Sequence, residues 1–345
     1  MYSPRHSTFD ANTNQNRYKS LVRLLLTTWT FLLFFNRLLS DVWNLWIVVG
    51  VVPWIVWVSI ECILSILVIK EIKRRSLKPA VLIVITIFAI WGSGVAVIGP
   101  KITTRTSHEL RILQWNTEFW GSKYDKNSSE VTFFGFLRSV DADIYILQEH
   151  GVPGPNDGII GISNLDDVKE NFPGYYVEAT HDLITISRFP ILEVKKDKNR
   201  GALSTLISPP GNPVKIINVH TVAPYKLSEP IWKVAFWREL SDREKLQNDQ
   251  LMWVSNEARA TDTPTIIAGD FNATESMRNL QRRYSGYRDL CTSPWRGTWG
   301  VGGIMLWRLD WQLGNDLVNV SDSRILSKNS LSDHSPVLLQ VHVSN

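Results

Sequence analysis

The chain has 345 residues, a formal net charge of +4 and a pI near 9.0, a basic excess too small to single out a nucleic-acid binder. Its two cysteines, Cys62 and Cys291, exclude a disulfide framework and a cysteine zinc site. The mean hydropathy of −0.07 averages two unlike parts: residues 20 to 100 are strongly apolar, and residues 105 to 345 have the mixed composition of a globular domain.

Residues 1–20 form a polar tail with Arg5, Arg17 and Lys19 and read as disordered. Three apolar runs then predict transmembrane helices at about 21–41, 45–69 and 80–100. The first, centred on Leu24 to Phe35, is short and bracketed by Arg23 and Arg37; snorkelling ends would stretch it to a span. No small-residue cleavage site follows it, which argues against a signal peptide. The second carries Trp43 and Trp46 near one end and Glu61 inside. A carboxyl is expensive in lipid, so Glu61 is expected to face other helices. The third, Ala80 to Pro100, is uncharged and about 31 Å long as a helix.

Lys70, Lys73, Arg74, Arg75 and Lys78 crowd the connection between the second and third runs. Basic loops stay cytoplasmic. The N-terminus is then cytoplasmic, and everything beyond Pro100 is extracytoplasmic, held to the lipid bilayer of the cell membrane by three helices.

A linker at 101–109 leads to the globular part, 110–345. Leu110 to Asn116 reads as a strand, residues 131–140 as a helix with an apolar face, and Ala142 to Glu149 as a second strand. Residues 151–173 are a Gly/Pro/Asp-rich loop region. Leu183 to Ile191 is a strand broken by Pro190, and Lys195, Lys196, Lys198 and Arg200 form a basic loop. Val214 to His220 is another strand, followed by a helix over about 232–258. Thr265 to Asp270, Arg308 to Leu313 and Val337 to Val343 complete the expected strands. Many strands with few helices between them predict an α/β fold of two packed mixed sheets flanked by helices.

The strands end alike. Asn116, Glu149, His220, Asp270 with Asn272, and Asp333 with His334 all close apolar runs. Any one of them serves as a turn former or a solvated terminus. Together they supply oxygen ligands and imidazoles for one concave rim, a set that suits Mg2+ or Mn2+ better than zinc. Asp310 interrupts an apolar strand, and a buried carboxylate needs a partner. No phosphate-binding glycine loop of the nucleotide-hydrolase type is present.

On these residues the sequence resembles the endonuclease/exonuclease/phosphatase superfamily, which includes DNase I, exonuclease III, inositol-polyphosphate 5-phosphatases and sphingomyelinases. The blocks are Gln-Trp-Asn at 114–116, Leu-Gln-Glu at 147–149, Ser-Arg-Phe-Pro at 187–190 and Asn-Val-His at 218–220. Gly-Asp-Phe-Asn at 269–272, Leu-Asp at 309–310 and Ser-Asp-His-Ser-Pro at 332–336 follow in the same order. The resemblance implies a four-layered α/β sandwich and a Mg2+- or Mn2+-dependent phosphoesterase acting on nucleic acid, phospholipid or sugar phosphate. It implies metal binding by Glu149 with Asn116, and Asp333 beside the metal. Asp270 would orient and deprotonate the attacking water, and Asn272 would hold that water or a phosphoryl oxygen. His220 would contact the scissile phosphate, and His334, held in its tautomer by Asp310, would stabilise developing charge or transfer a proton.

Arg188 is a candidate phosphate ligand, with a structural salt bridge as the equal alternative. Trp115, Trp120, Trp295, Trp299, Trp307 and Trp311 are read as core and rim packing, and the Trp-rich loop Thr292 to Trp307 as a substrate-selecting or membrane-contacting rim. The competing class is a catalytically silent module that keeps the fold and binds a phosphorylated ligand or a protein. An intact polar set argues against it.

Overall fold

The computed structural model describes residues 7–40, 45–70, 75–96, 99–103, 109–119, 126–151, 165–224, 230–277, 280, 283–327 and 331–344. Trp120 and most of the expected 151–173 loop lie outside them, as do Lys73 and Arg74. The chain divides into two compact units: Met1–Val95 with Glu275–Asn279, and Ala96–Thr274 with Leu280–Asn345.

The first unit is helical. Helix α1 (Ser7–Leu39) runs without a break, so the tail expected to be disordered is helical from Ser7 onward. The second apolar run is not one helix but two, α2 (Leu45–Gly50) and α3 (Trp54–Ile69). Pro53 separates them, because it has no N–H to donate and its ring blocks the preceding turn. Helix α4 (Lys78–Ser93) ends on Gly94, whose φ of 77° suits only glycine without strain. Two stretches, Asn14–Leu39 and Arg75–Ser93, are long and apolar enough to cross a membrane; α3, at 16 residues, is shorter. The three expected spans are therefore not all reproduced. Leu33, Trp57 and Ala89 pack at the centre of this unit, and Thr30 Oγ1 donates to Glu61 Oε1 at 2.9 Å, so the acid faces a neighbouring helix.

The second unit is built from strands. In order come β1 (Leu110–Asn116), α5 (Lys126–Val140), β2 (Ile144–Gln148), α6 (Leu165–Asn171), β3 (Tyr176–Thr180) and β4 (Leu183–Ser187). Then follow β5 (Ile191–Lys196), β6 (Ala202–Ile207), β7 (Val214–His220), α7 (Val234–Arg259), β8 (Thr265–Asp270) and β9 (Arg288–Asp289). The chain closes with β10 (Trp299–Val301), β11 (Ile304–Trp307), β12 (Asp310–Gly314), β13 (Val318–Ile325) and β14 (Val337–Val343). Two six-stranded mixed sheets result, ordered β13-β14-β1-β2-β4-β3 and β5-β6-β7-β8-β12-β9. Pro190 marks the point where the chain leaves the first sheet after β4 and enters the second at β5.

The sheets face each other across alternating β-branched and leucine side chains. Ile112, Ile144, Ile146, Val337 and Leu339 of one sheet share a core with Ile207, Val214, Ile216, Ile266 and Ala268 of the other. The outer face of the first sheet buries Trp115, Tyr145 and Leu147 under Phe133, Phe134 and Leu137 of α5 and Val168 of α6. Helix α7 packs on the second sheet with Leu240, Leu251, Val254 and Ala258 inward. The result is the expected four-layered sandwich. Each fully buried aliphatic or aromatic side chain contributes about 1.5–3 kcal/mol, so these three layers of contact dominate the fold.

Strands β1 and β2 are parallel, and so are β7 and β8. Their C-terminal ends, with the N-terminal ends of β4, β12 and β14 that run against them, share one edge of the sandwich. The β7–β8 pairing needs a glycine at its next-to-last rung, where Gly269 lies beside Val219. Gly269 has φ +148°, and a Cβ there would lie 1.9 Å from the Val219 carbonyl oxygen. Gly269→Ala is expected to destabilise the second unit by at least about 2 kcal/mol, read as a fall in Tm by near-UV circular dichroism of the full chain.

Candidate active site

Asn116 ends β1 and is fully buried. Its Nδ2 donates to Glu149 Oε1 at 3.1 Å and to Asp270 Oδ2 at 2.9 Å, linking carboxylates from the two sheets. Glu149 stands one residue beyond β2 with φ +53°. A non-glycine residue holds that conformation only where its surroundings enforce it; here the Glu149 carbonyl accepts from Thr117 Oγ1.

Asp270 ends β8. Its Oδ1 accepts the Asn272 backbone N–H at 2.8 Å, and its Oδ2 lies 3.7 Å from His334 Nε2 and 4.0 Å from His220 Nε2. Asn272, at φ +47°, donates from Nδ2 to the Thr221 carbonyl at 2.9 Å, which leaves its side-chain oxygen as the atom it can present.

Each histidine is backed by a carboxylate. His334 Nδ1 meets Asp310 Oδ2 at 2.8 Å, and His220 Nδ1 meets Asp182 Oδ2 in a short contact. In both rings Nε2 is left toward the centre, with His220 Nε2 3.7 Å from Glu149 Oε1. Burial works against the His334 imidazolium, but Asp310, Asp270 and Asp333 outweigh it and push the ring up to about 10. Burial likewise opposes charge on His220, and Asp182, Glu149 and Asp270 overcome it to a value of about 10. For Asp270, burial and then the charge of Asp310 raise the carboxyl above its usual range, against the pull of both histidines. Burial also raises Glu149, offset in part by His220 and His334. Asp310 goes the other way: burial opposes its charge, but His334, Thr298 and Gln114 hold it low.

The structure thus brings together Asn116, Glu149, His220, Asp270, Asn272, Asp310 and His334. Asp333 stands at the margin, its Oδ2 accepting from Trp299 Nε1 at 2.8 Å and its Oδ1 3.9 Å from His334 Nε2. Arg188 is not part of the set. It is paired with Asp141 and Asp143 at 2.7 and 2.8 Å and with the Tyr175 hydroxyl. Its backbone bonds Asp143 at the start of β2, six residues and roughly 20 Å along the strand from Glu149. The salt-bridge reading holds for it.

Sequence reasoning missed two kinds of partner. Asp182 lies in the turn one residue before β4 rather than closing a strand, and an antiparallel strand returns its N-terminal end to the same edge. The other is a branched polar chain between the sheets: Gln114 Nε2 donates to Gln148 Oε1 and Asp310 Oδ1, both at 2.8 Å. Gln148 Nε2 donates to Asn218 Oδ1 at 2.7 Å, and Gln312 Nε2 to Gln114 Oε1 at 2.9 Å. Their signal was alternation: Gln114 lies two residues before Asn116, and Gln312 two after Asp310, on the same strand faces.

A model of the endonuclease/exonuclease/phosphatase family matches residues 113–334. The chain belongs to that family. Similar solved structures include an endonuclease/exonuclease/phosphatase from Beutenbergia cavernae, 16% identical, covering 69% of this chain and 72% of that one at a TM-score of 0.51. A humanized TDP2 from D. rerio is also 16% identical, covering 68% and 99% at 0.51. An AP endonuclease from Leishmania major is 13% identical, covering 73% and 94% at 0.51. No curated protein matches the chain. At such identities the likeness is one of fold, and the family is one of phosphoester hydrolases.

Among the described residues, Glu149, His220 and Asp270 bring ligand atoms within 4.8 Å of one another and could hold a metal ion. The fit is chemical as well as spatial. Burial presses Glu149 and Asp270 toward their protonated forms, and a cation between them would relieve that pressure.

The two raised imidazoles set a pH dependence. A group whose pKa rises from about 6.5 unfolded to about 10 folded stabilises fully below the lower value and ceases to do so as pH climbs through the upper one. In chelator, the Tm of the chain is therefore expected to fall between pH 7 and pH 10. An Asp182→Asn, Asp310→Asn double variant, melted in the same series, should show a markedly flatter slope.

Proposed function

We propose that this protein is a membrane-anchored, divalent-cation-dependent phosphoesterase, with Mg2+ or Mn2+ as the ion, working on the extracytoplasmic side of the cell membrane. The observation that carries the hydrolase reading is the single amide of Asn116 gathering Glu149 and Asp270 between two carboxylate-backed histidines.

Glu149, its carboxylate kept in place by Asn116 with Asp270 close by, would hold the cation. When bound, the ion would supply Lewis-acid polarisation of a phosphoryl oxygen and charge neutralisation on the leaving oxygen. The protein does the rest. His220 and His334, both protonated at neutral pH, present Nε2–H groups that seat and orient the non-bridging oxygens. Asp270, made more basic by burial, accepts the proton of a water that the Asn272 side-chain oxygen orients. As the water oxygen bonds phosphorus in line, the ester P–O bond opposite it breaks. Asp310 and Asp182 keep the two imidazoles charged and turned.

Bis-p-nitrophenyl phosphate measures this with the detergent-solubilised chain. Chelation should abolish turnover, and Mg2+ or Mn2+ should restore it. Glu149→Gln and His334→Asn should each lower kcat by about a thousand-fold or more, while Arg188→Ala should leave it within about three-fold. Chelator-resistant turnover that survives Glu149→Gln would sink the proposal.

The anchor reading is supported by two helices of sufficient length and apolarity and by the basic cluster from Lys70 to Lys78. A reporter enzyme fused after Ser107 is expected to be active only when it is one that works outside the cytoplasm.

A further inference from the structure

Two stretches leave the site-bearing edge of the catalytic unit with apolar side chains outward. One is the approach to α7, where Ile231, Trp232 and Val234 are 55%, 82% and 76% exposed. Farther along that helix, Gln247 donates to Thr221 Oγ1 and to the Phe271 carbonyl, just past the ends of β7 and β8. Val234 precedes Gln247 by thirteen residues, so the helix extends roughly 20 Å beyond that level along its own axis. The other stretch is the β10–β11 hairpin, turned by Gly302 and Gly303, both at positive φ. Val301 and Ile304 at its tip are 66% and 62% exposed, and Trp295 before it is 42% exposed. The hairpin root is fastened to the site: Trp299 Nε1 donates to Asp333, and the Ser335 N–H to the Thr298 carbonyl at 2.7 Å.

A single exposed apolar residue such as Leu192 needs no explanation. Clusters of them on two projections at the site-bearing edge do. Each projection places a cation directly after its tryptophan, Trp232-Lys233 and Trp295-Arg296, and neither 230–238 nor 293–308 contains an acidic residue. Indoles favour the headgroup layer, aliphatic tips enter the acyl boundary, and cations meet lipid phosphates. The occupant with all three features is a bilayer surface. The same chain carries two helices long and apolar enough to cross one.

We infer that the α7 approach and the β10–β11 tip dock the catalytic edge onto a lipid–water interface, and that the ester it cleaves there is a phospholipid headgroup. The substrate class rests on the phosphoesterase reading; the docking surface does not.

The experiment uses the full chain, with Cys62→Ala and Cys291→Ala, reconstituted into phosphatidylcholine vesicles containing phosphatidylglycerol. An environment-sensitive fluorophore is attached through Trp232→Cys, Ile304→Cys or, as control, Leu192→Cys. Labels at 232 and 304 are expected to shift to the blue and to be quenched by brominated acyl chains, with the label at 192 remaining in water. Water-like emission at both positions overturns the docking. So does a blue shift without bromine quenching, which would identify a second copy or a protein as the occupant. In the second arm, a Trp232→Ser, Ile304→Ser chain should turn over vesicle phospholipid about ten-fold more slowly or worse, with soluble bis-p-nitrophenyl phosphate unaffected. Wild-type turnover of the soluble ester but not of phospholipid overturns the substrate class. Failure to turn over either ester counts against the phosphoesterase reading and leaves the fluorescence result standing.

Discussion

Two carboxylates on facing sheets would repel each other, and the Asn116 amide is what lets them share an edge. It sits at the end of a central strand, donates one N–H to each, and is itself held by the Glu118 N–H on its oxygen. Behind it, the sandwich does something costly. Gln114, Gln148, Asn218, Asp310 and Gln312 are all fully buried in what is otherwise an aliphatic layer. Polar groups are costly there unless they are bonded, and all five are joined in a chain that crosses from sheet to sheet and reaches Asp310, although the Gln312 side-chain oxygen accepts no bond. The core is apolar at one end and a hydrogen-bonded support for the site at the other.

That division explains how much could be read in advance. Strands β1, β2, β7 and β8 were legible because their apolar runs stop abruptly at Asn116, Glu149, His220 and Asp270, and in each case the stop is the edge of the sheet. Pro190 was legible as a break, though not as a change of sheet, since a proline forbids a ladder bond without saying where the chain goes next. Strands β3 and β13 carry polar residues on half-buried faces, and β6 buries Ser204 and Thr205 among its aliphatic residues, so none shows a clean run. Asp182 was hidden because a lone carboxylate in the turn before β4 reads as an ordinary turn former, and Arg188, open in sequence between a phosphate contact and a salt bridge, is paired with Asp141 and Asp143. Pro53 sits inside a run whose hydropathy alone reads as one helix.

The hydrogen-bonded pairs also restrict which group can do what in the proposed reaction. A general base must be unprotonated when the water arrives. His220 and His334 have Nδ1 committed to Asp182 and Asp310, and both are pushed to about 10, so with no cation bound neither offers a free lone pair at neutral pH. In that state they act as oriented positive charge. In the proposed reaction Glu149 is the carboxylate assigned to the cation. Asp270 remains. It is buried, raised above its usual range, flanked by both Nε2 atoms, and hydrogen-bonded through the other oxygen to the Asn272 backbone, which fixes the direction of its lone pairs. The proposed reaction therefore assigns proton acceptance to Asp270, the carboxylate that both Nε2 atoms face.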